Sequence, residues 1–285
     1  MKFSVFSVCL PEYDVAETIK VMKDMGYDGI EWRVSEPCPA EKPEDYTFEW
    51  RYWTYNKSCL DIATIEEDAA KVKAMCDEAG LGICNLATYL YVDQPDEIER
   101  VMKAAKIMGC PKMRINAPEY DETENYNVVF NRTKEQLKVV EKLAEKYGVA
   151  VNIETHMGNI IPSASAAYRL VCDCDPRYVG VLFDPGNMVY EGFENYRMGI
   201  ELLGKYLNHV HVKNSIWKLT ETTEAGVEKY EPTFAQFWKG YADLGKLLQV
   251  LRDVGYDGFV SVEDFSNVED TVTKLQNNLA YLKTL

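Results

Sequence analysis

Two periodicities alternate along this chain. Short apolar runs rich in Val, Ile and Phe are separated by stretches in which apolar residues recur at helical spacing. The runs predict strands over Phe3 to Cys9, Gly29 to Val34, Gly82 to Thr88, Lys112 to Asn116, Ala150 to Thr155, Val179 to Asp184, Leu207 to Val212 and Gly258 to Glu263. The intervening patterns predict helices over Val15 to Met25, Ile65 to Glu78, Asp96 to Met108, Lys134 to Tyr147, Ser163 to Cys172, Tyr196 to Gly204, Gly245 to Asp253 and Val268 to Leu282. Repeated strand-then-helix units call for a parallel sheet, and eight of them close into a single α/β (β/α)8 TIM barrel. No Pro/Gly/Ser-rich linker or shift of composition divides the chain, so residues 1–285 are expected to form one domain.

An internal echo agrees with this reading. Met25-Gly26-Tyr27-Asp28-Gly29 precedes the second strand, and Val254-Gly255-Tyr256-Asp257-Gly258 precedes the eighth. Each reads as a helix stop followed by a turn into a buried strand, with glycine supplying the positive φ that ends the helix. Two long connections, Ser35 to Thr64 and Asn214 to Leu244, follow the second and seventh strands and carry many aromatic residues. Loops of about 30 residues are uncommon in compact domains and are usually functional or partly helical. Their aromatic faces suit stacking on a sugar, packing of the loop itself, or a subunit interface, and a homo-oligomer is expected.

Charge narrows the partners. The chain has 31 basic and 46 acidic residues and a net charge of −15, which repels nucleic-acid phosphates and anionic membrane surfaces. A small-molecule sugar or keto-polyol is the expected partner. The eight cysteines are scattered through predicted strands, helices and loops, the pattern of reduced thiols in a cytoplasmic protein. The apolar run at Phe3 to Leu10 looks like a short signal peptide, but it lacks a small-residue cleavage site and reads as the first strand. No apolar stretch approaches the ~18 residues of a membrane helix.

Candidate chemistry lies at the strand ends, where the active sites of such barrels form. All three histidines, His156, His209 and His211, sit beside a carboxylate or another histidine on a predicted strand. Strand alternation turns Glu154 and His156 to one face, and likewise His209, His211 and Lys213. Asp184 and Glu263 finish two further apolar runs. Three carboxylates and an imidazole (Glu154, Asp184, His211 and Glu263) form a ligand set for one divalent cation, manganese first, with magnesium, cobalt or zinc also compatible. Arg114 and Glu31 are candidates near the same mouth, or else partners in a buried ion pair. His209 lies one inward step below His211, where it is suited to orienting the ligand shell.

At these residues the chain resembles the xylose isomerase-like TIM barrel superfamily, which includes sugar-phosphate isomerases and epimerases, ketose 3-epimerases and inosose dehydratases. The resemblance spans essentially the whole chain and rests on Ile153-Glu154-Thr155-His156, Phe183-Asp184-Pro185-Gly186-Asn187, His209-Val210-His211-Val212-Lys213-Asn214 and Val260-Ser261-Val262-Glu263. It implies that Glu154, Asp184, His211 and Glu263 bind the metal and that Glu154 and Glu263 form the catalytic acid/base pair. It further implies substrate contacts from His156, His209, Lys213 and the residue at Asn187, with Arg114 added from its place near the mouth. Asn187 stands where many relatives have His, and Asn214 where many have Asp; Asn187 hydrogen-bonds but does not shuttle a proton near neutral pH.

The expected function is a metal-dependent sugar isomerase or epimerase that removes a proton next to a carbonyl of a ketose or keto-polyol through an enediolate. The alternative is a lyase of the same fold, inosose dehydratase-like or cleaving a 3-keto glycoside or C-glycoside, with a partner subunit completing the site. A DNA-repair endonuclease of this barrel type needs many more histidines and a basic groove, and three histidines with a charge of −15 argue against it.

Overall fold

The computed structural model describes residues 1–285. Eight parallel strands form the barrel: β1 (Lys2–Phe6), β2 (Gly29–Ser35), β4 (Gly82–Tyr91), β5 (Lys112–Asn116), β6 (Ala150–Glu154), β7 (Val179–Phe183), β8 (Leu207–Val212) and β11 (Phe259–Val262). Short β3 (Cys59–Asp61) joins the mouth end of β2, and an antiparallel hairpin of β9 (Ser215–Thr222) and β10 (Glu228–Phe234) stands apart from the barrel sheet. The strand order is β1-β11-β8-β7-β6-β5-β4-β2, and pairing of β1 with β2 closes the ring. Helices α1 (Val15–Met25), α2 (Ile65–Ala79), α3 (Pro95–Met108), α4 (Tyr126–Tyr147), α5 (Ala164–Val171), α7 (Tyr196–Leu203), α8 (Leu244–Asp253) and α9 (Thr271–Thr284) connect the strands, with a short α6 (Pro185–Tyr190) after β7.

Burial on both faces explains why the strands are apolar runs. In β8, Val210 and Val212 pack outward beneath the helices while His209 and His211 point into the barrel; all four are fully buried. The same alternation turns Glu154 inward at the end of β6, while Val151 and Ile153 face outward. The echoed glycines behave as expected, Gly26 and Gly255 having φ of 79° and 75°.

Several boundaries differ from the sequence expectation. β1 stops at Phe6, and Ser7–Cys9 forms a 3-10 turn closed by the Leu10 N–H on the Ser7 carbonyl (2.9 Å), with the Ser7 hydroxyl donating to the carbonyl of Ser58. α4 begins eight residues earlier than expected, at Tyr126, where the Asn125 side chain accepts the Asn127 N–H and caps it. The long connection after β8 is largely the β9–β10 hairpin, whose residues are mostly exposed on both faces and so carry no period-two apolar signal. All eight cysteines are unpaired. No helix is long and apolar enough to cross a membrane.

Candidate active site and metal centre

The barrel interior is polar in two layers. In the lower one, Glu31 on β2 accepts from Asn85 on β4 (2.9 Å) and meets Nε2 of His209 (2.9 Å) and of His211 (3.0 and 3.1 Å). These contacts fix the rings. With Nε2 of His211 donating to Glu31, the lone pair of Nδ1 faces the upper layer, the arrangement in which a carboxylate orients a metal-ligating histidine.

In the upper layer, Nδ1 of His211 lies 3.4 Å from Glu154 Oε1, 3.5 Å from Asp184 Oδ2 and 3.5 Å from Glu263 Oε2. One ligand atom from each of the four residues falls within 4.8 Å of all the others. His211 Nδ1, Asp184 Oδ2 and Glu263 Oε2 are buried without a well-directed hydrogen bond, the two oxygens being met only by the ammonium of Lys213. Buried acceptors need positive charge or donors around them, and three converging on one point with a single ammonium beside them fit a cation bound between them. The charge agrees. Four buried carboxylates, Glu31, Glu154, Asp184 and Glu263, share the two layers with two permanent cations: Arg114 pairs with Glu154, Lys213 with Asp184 and Glu263, and Glu31 meets only the imidazoles. With both imidazoles neutral, two negative charges are left over, which one divalent cation balances.

Local sequence sets each ligand's aim. Asp184 caps α6: its Oδ1 accepts the Asn187 N–H at 2.9 Å, which turns Oδ2 toward His211, and Pro185 suits the first helical position. The Thr155 hydroxyl accepts the Asp184 N–H at 3.0 Å. Glu154 is fully partnered, by Arg114 at Oε2 (2.7 Å) and by Asn187 Nδ2 at Oε1 (3.0 Å). Burial opposes its charge, but Arg114, His211 and Lys213 outweigh burial and hold its carboxyl well below the usual range. Asp184 is likewise lowered against the effect of burial, chiefly by Lys213. Burial would depress His211, yet Glu31 and the three acids above it raise it well above the ordinary value.

Lys213 is a buried cation, not a solvated one at the rim. Its Nζ donates to Asn187 Oδ1 (2.8 Å), lies 3.1 Å from Asp184 Oδ2 and touches Glu263 Oε2. The rings of Phe265 and Phe234 cover it at 5.4 and 5.8 Å. Gly186 makes room for its stem, since a Cβ there would come within 2.6 Å of Lys213 Cβ. Asn187 therefore bridges Glu154 and Lys213 and stays below the cavity. Arg114 proves to be both an ion-pair partner and a cavity residue.

Above this layer opens a cavity of about 620 Å³. Glu154, Glu263, His156, Lys213 and Arg114 line it, together with Trp53 and Phe234 from the two aromatic connections. His209 does not reach it, being fully buried below His211 and bonded to Glu31; the expected substrate contact is replaced by an orienting one. Sequence reading did not single out Tyr89 or Phe265, which also line the cavity. Tyr89 lies just beyond the expected end of β4, and Phe265 follows Glu263 by two residues in a segment without regular structure. Three other aromatics of the first connection pack on one another, Trp50 stacking on Tyr55 with Tyr46 edge-on to both, while Tyr52 packs edge-on to Phe265.

Comparison with known proteins places these features in a family. The inosose dehydratase of Clostridium perfringens is 30% identical over 139 residues, 45% of this chain and 45% of that protein. The chain spans about half the length of the first curated relatives it matches. Among solved structures, a 3-keto-D-glucoside 4-epimerase from E. coli superposes with a TM-score of 0.74 at 19% identity, covering 100% of both chains. The IolI protein, solved with a zinc atom, gives 0.74 at 16% identity over 99% of this chain and 98% of that one. At those identities the structures share the fold. The family model of the xylose isomerase-like TIM barrel matches residues 19–285, and the chain belongs to that family.

Proposed function

We propose that the protein is a divalent-metal-dependent isomerase or epimerase that removes a proton next to the carbonyl of a ketose or related keto-polyol. The observation that carries this reading is the convergence of Glu154, Asp184, His211 and Glu263 beneath a cavity that Glu154 and Glu263 themselves line. Glu154, Asp184, His211 and Glu263 would hold the cation. Bound there, it supplies polarisation of a carbonyl oxygen and its neighbouring hydroxyl, which acidifies the adjacent C–H.

The chain's own residues do the rest. Glu263 and Glu154 are the base and acid, the two carboxylates of the ligand cluster that also line the cavity, carried by strands on different sides of that cluster. If they flank the bound sugar, one removes the proton and the other returns it to the far face, which is epimerisation. Arg114 and Lys213 stabilise the enediolate's negative charge, and the carboxyl that returns a proton enters the step protonated while its partner is ionised. His156, whose Nδ1 is 2.7 Å from the Met157 carbonyl, presents its remaining ring edge to substrate oxygens.

A second reading is a lyase, in which the same carbanion expels a group from the next carbon. It draws support from the inosose dehydratase relatives and from Asn187, which cannot deliver a proton as His would. Solvent-deuterium exchange followed by NMR, with the Mn-loaded protein and a panel of ketoses, inososes and 3-keto glycosides, tests both. Exchange at one C–H that disappears in Glu263→Gln is expected, with an epimer or ketose isomer as product. A new alkene or enol ketone would favour the lyase, and no exchange with any compound despite bound metal would defeat both readings.

A further inference from the structure

A second cavity of about 540 Å³ adjoins the first and shares three of its walls: Trp53, Phe234 and Phe265. Phe265 stands between the other two, its ring centre 5.2 Å from Trp53 and 4.9 Å from Phe234. The partition thus presents aromatic surface to both compartments, and its inner side covers Lys213. Each compartment alone falls in the ~300–1,000 Å³ range of small-molecule sites.

The outer compartment is rich in donors. Lys218 on β9 and Lys239 line it, and neither is in an ion pair, although Glu49 lines the same space and Glu231 lies opposite Lys218 on β10. Ser266, 5% exposed, also lines it with a buried hydroxyl that has no partner. Ammonium groups donate and never accept, so their complement is an oxygen acceptor. Flat apolar walls with a few such polar groups are the surroundings of a ring that carries oxygens.

From this arrangement we infer that the substrate is larger than one sugar ring: the reacting ring occupies the cavity over Glu154 and Glu263, and a second, oxygen-bearing ring occupies the outer compartment, packed on Trp53 and Phe265 and held by Lys218, Lys239 and Ser266. The inference rests on the proposed sugar chemistry and narrows its substrate to a glycoside. A hydroxyl-bearing sugar and a carboxylated aryl group offer the same acceptor chemistry, and their affinities separate them.

The test is calorimetric binding of methyl β-D-glucoside, cellobiose and 4-carboxyphenyl β-D-glucoside to the metal-loaded protein and to its Lys218→Ala/Lys239→Ala and Trp53→Ala variants. At least one two-ring probe is expected to bind about fivefold or more tighter than methyl glucoside, the scale of two exposed charged contacts. The advantage should shrink in both variants, and for the carboxylate probe it should also shrink with added salt. A preference for cellobiose identifies a second sugar, and one for the carboxyphenyl glucoside an acidic aryl group. If neither probe binds tighter than methyl glucoside, or the advantage survives both variants, the second subsite is wrong. Failure of the sugar chemistry itself would appear separately, as absent C–H exchange with the binding order intact.

Discussion

At the residue scale, the most informative side chain is one that never meets the cavity. Glu31 determines which nitrogen of His211 faces the acids, because both its oxygens lie against Nε2. Burial raises the cost of its charge, yet His211 and His209 hold its carboxyl well below the usual range. Glu31→Gln should leave a folded protein whose Mn affinity, measured by titration calorimetry, falls roughly 10- to 100-fold, the usual cost of losing the carboxylate behind a ligating histidine. Unchanged affinity would mean that the ring is held by packing alone, for instance by Phe6, stacked at 5.7 Å. Arg114 offers a complementary case. Its pair with Glu154 is buried on both sides, so Arg114→Met leaves an uncompensated carboxylate at a cost of about 3–5 kcal/mol and a Tm loss of the order of 10 °C. Burial, then less opposed, raises the Glu154 pKa; because a protonated Glu154 no longer holds the proposed cation, the acid limb of the exchange-rate profile should move to higher pH. A variant with wild-type Tm and an unmoved limb would contradict this account of Glu154.

At the scale of elements, the sequence pattern carried the barrel and lost its ornaments, for physical reasons. Parallel strands buried on both faces are apolar runs, and inward polar residues such as His209, His211 and Glu154 interrupt them at the strand period. Those interruptions made Glu154, Asp184, His211 and Glu263 legible as a group before any geometry. α6 was not legible, because Pro185-Gly186 reads as a turn, whereas Asp184 uses that turn as a capped helix start. The β9–β10 hairpin was hidden by its exposure, and its anchor is Asn214. That side chain donates to the carbonyls of Phe237 (2.7 Å) and Ala242 (2.9 Å) and accepts from the N–H groups of Ser215 and Ala242. A carboxylate at Asn214 could accept but not donate, so the amide is tied to this loop. Asn214→Asp should destabilise by about 2–5 kcal/mol, since two buried carbonyls lose their donors and a charge is buried beside them. Limited proteolysis should cut the hairpin faster in this variant while the barrel core persists; equal cutting rates would show that the hairpin is anchored elsewhere.

For the whole molecule, the buried charges turn the proposed metal site into a claim about stability. Without the cation, the acids rely on Arg114, on the raised proton affinity of His211 and on Lys213, whose Nζ touches two of the atoms directed at the ligand point. A cation that binds the folded chain alone stabilises it by RT ln(1 + [L]/Kd), about 2.7 kcal/mol at a hundredfold excess over Kd. In a protein of this size that raises Tm by roughly 4–5 °C. Asp184→Asn, which removes one ligand charge but keeps the capping oxygen, should abolish most of the rise. Lys213→Met gives the sharper prediction: its metal-free Tm should fall below wild type, because Asp184 and Glu263 lose their cation, while its increment on adding Mn should grow, because the cluster then carries more uncompensated negative charge. Thermal scans of the two variants and wild type, with chelator and with Mn, Mg, Co or Zn in turn, read both effects. A wild-type Tm indifferent to every metal would leave the cluster as a structural ion network centred on Lys213, and an increment that shrinks in Lys213→Met would mean that the lysine helps to build the site instead of standing in for the ion.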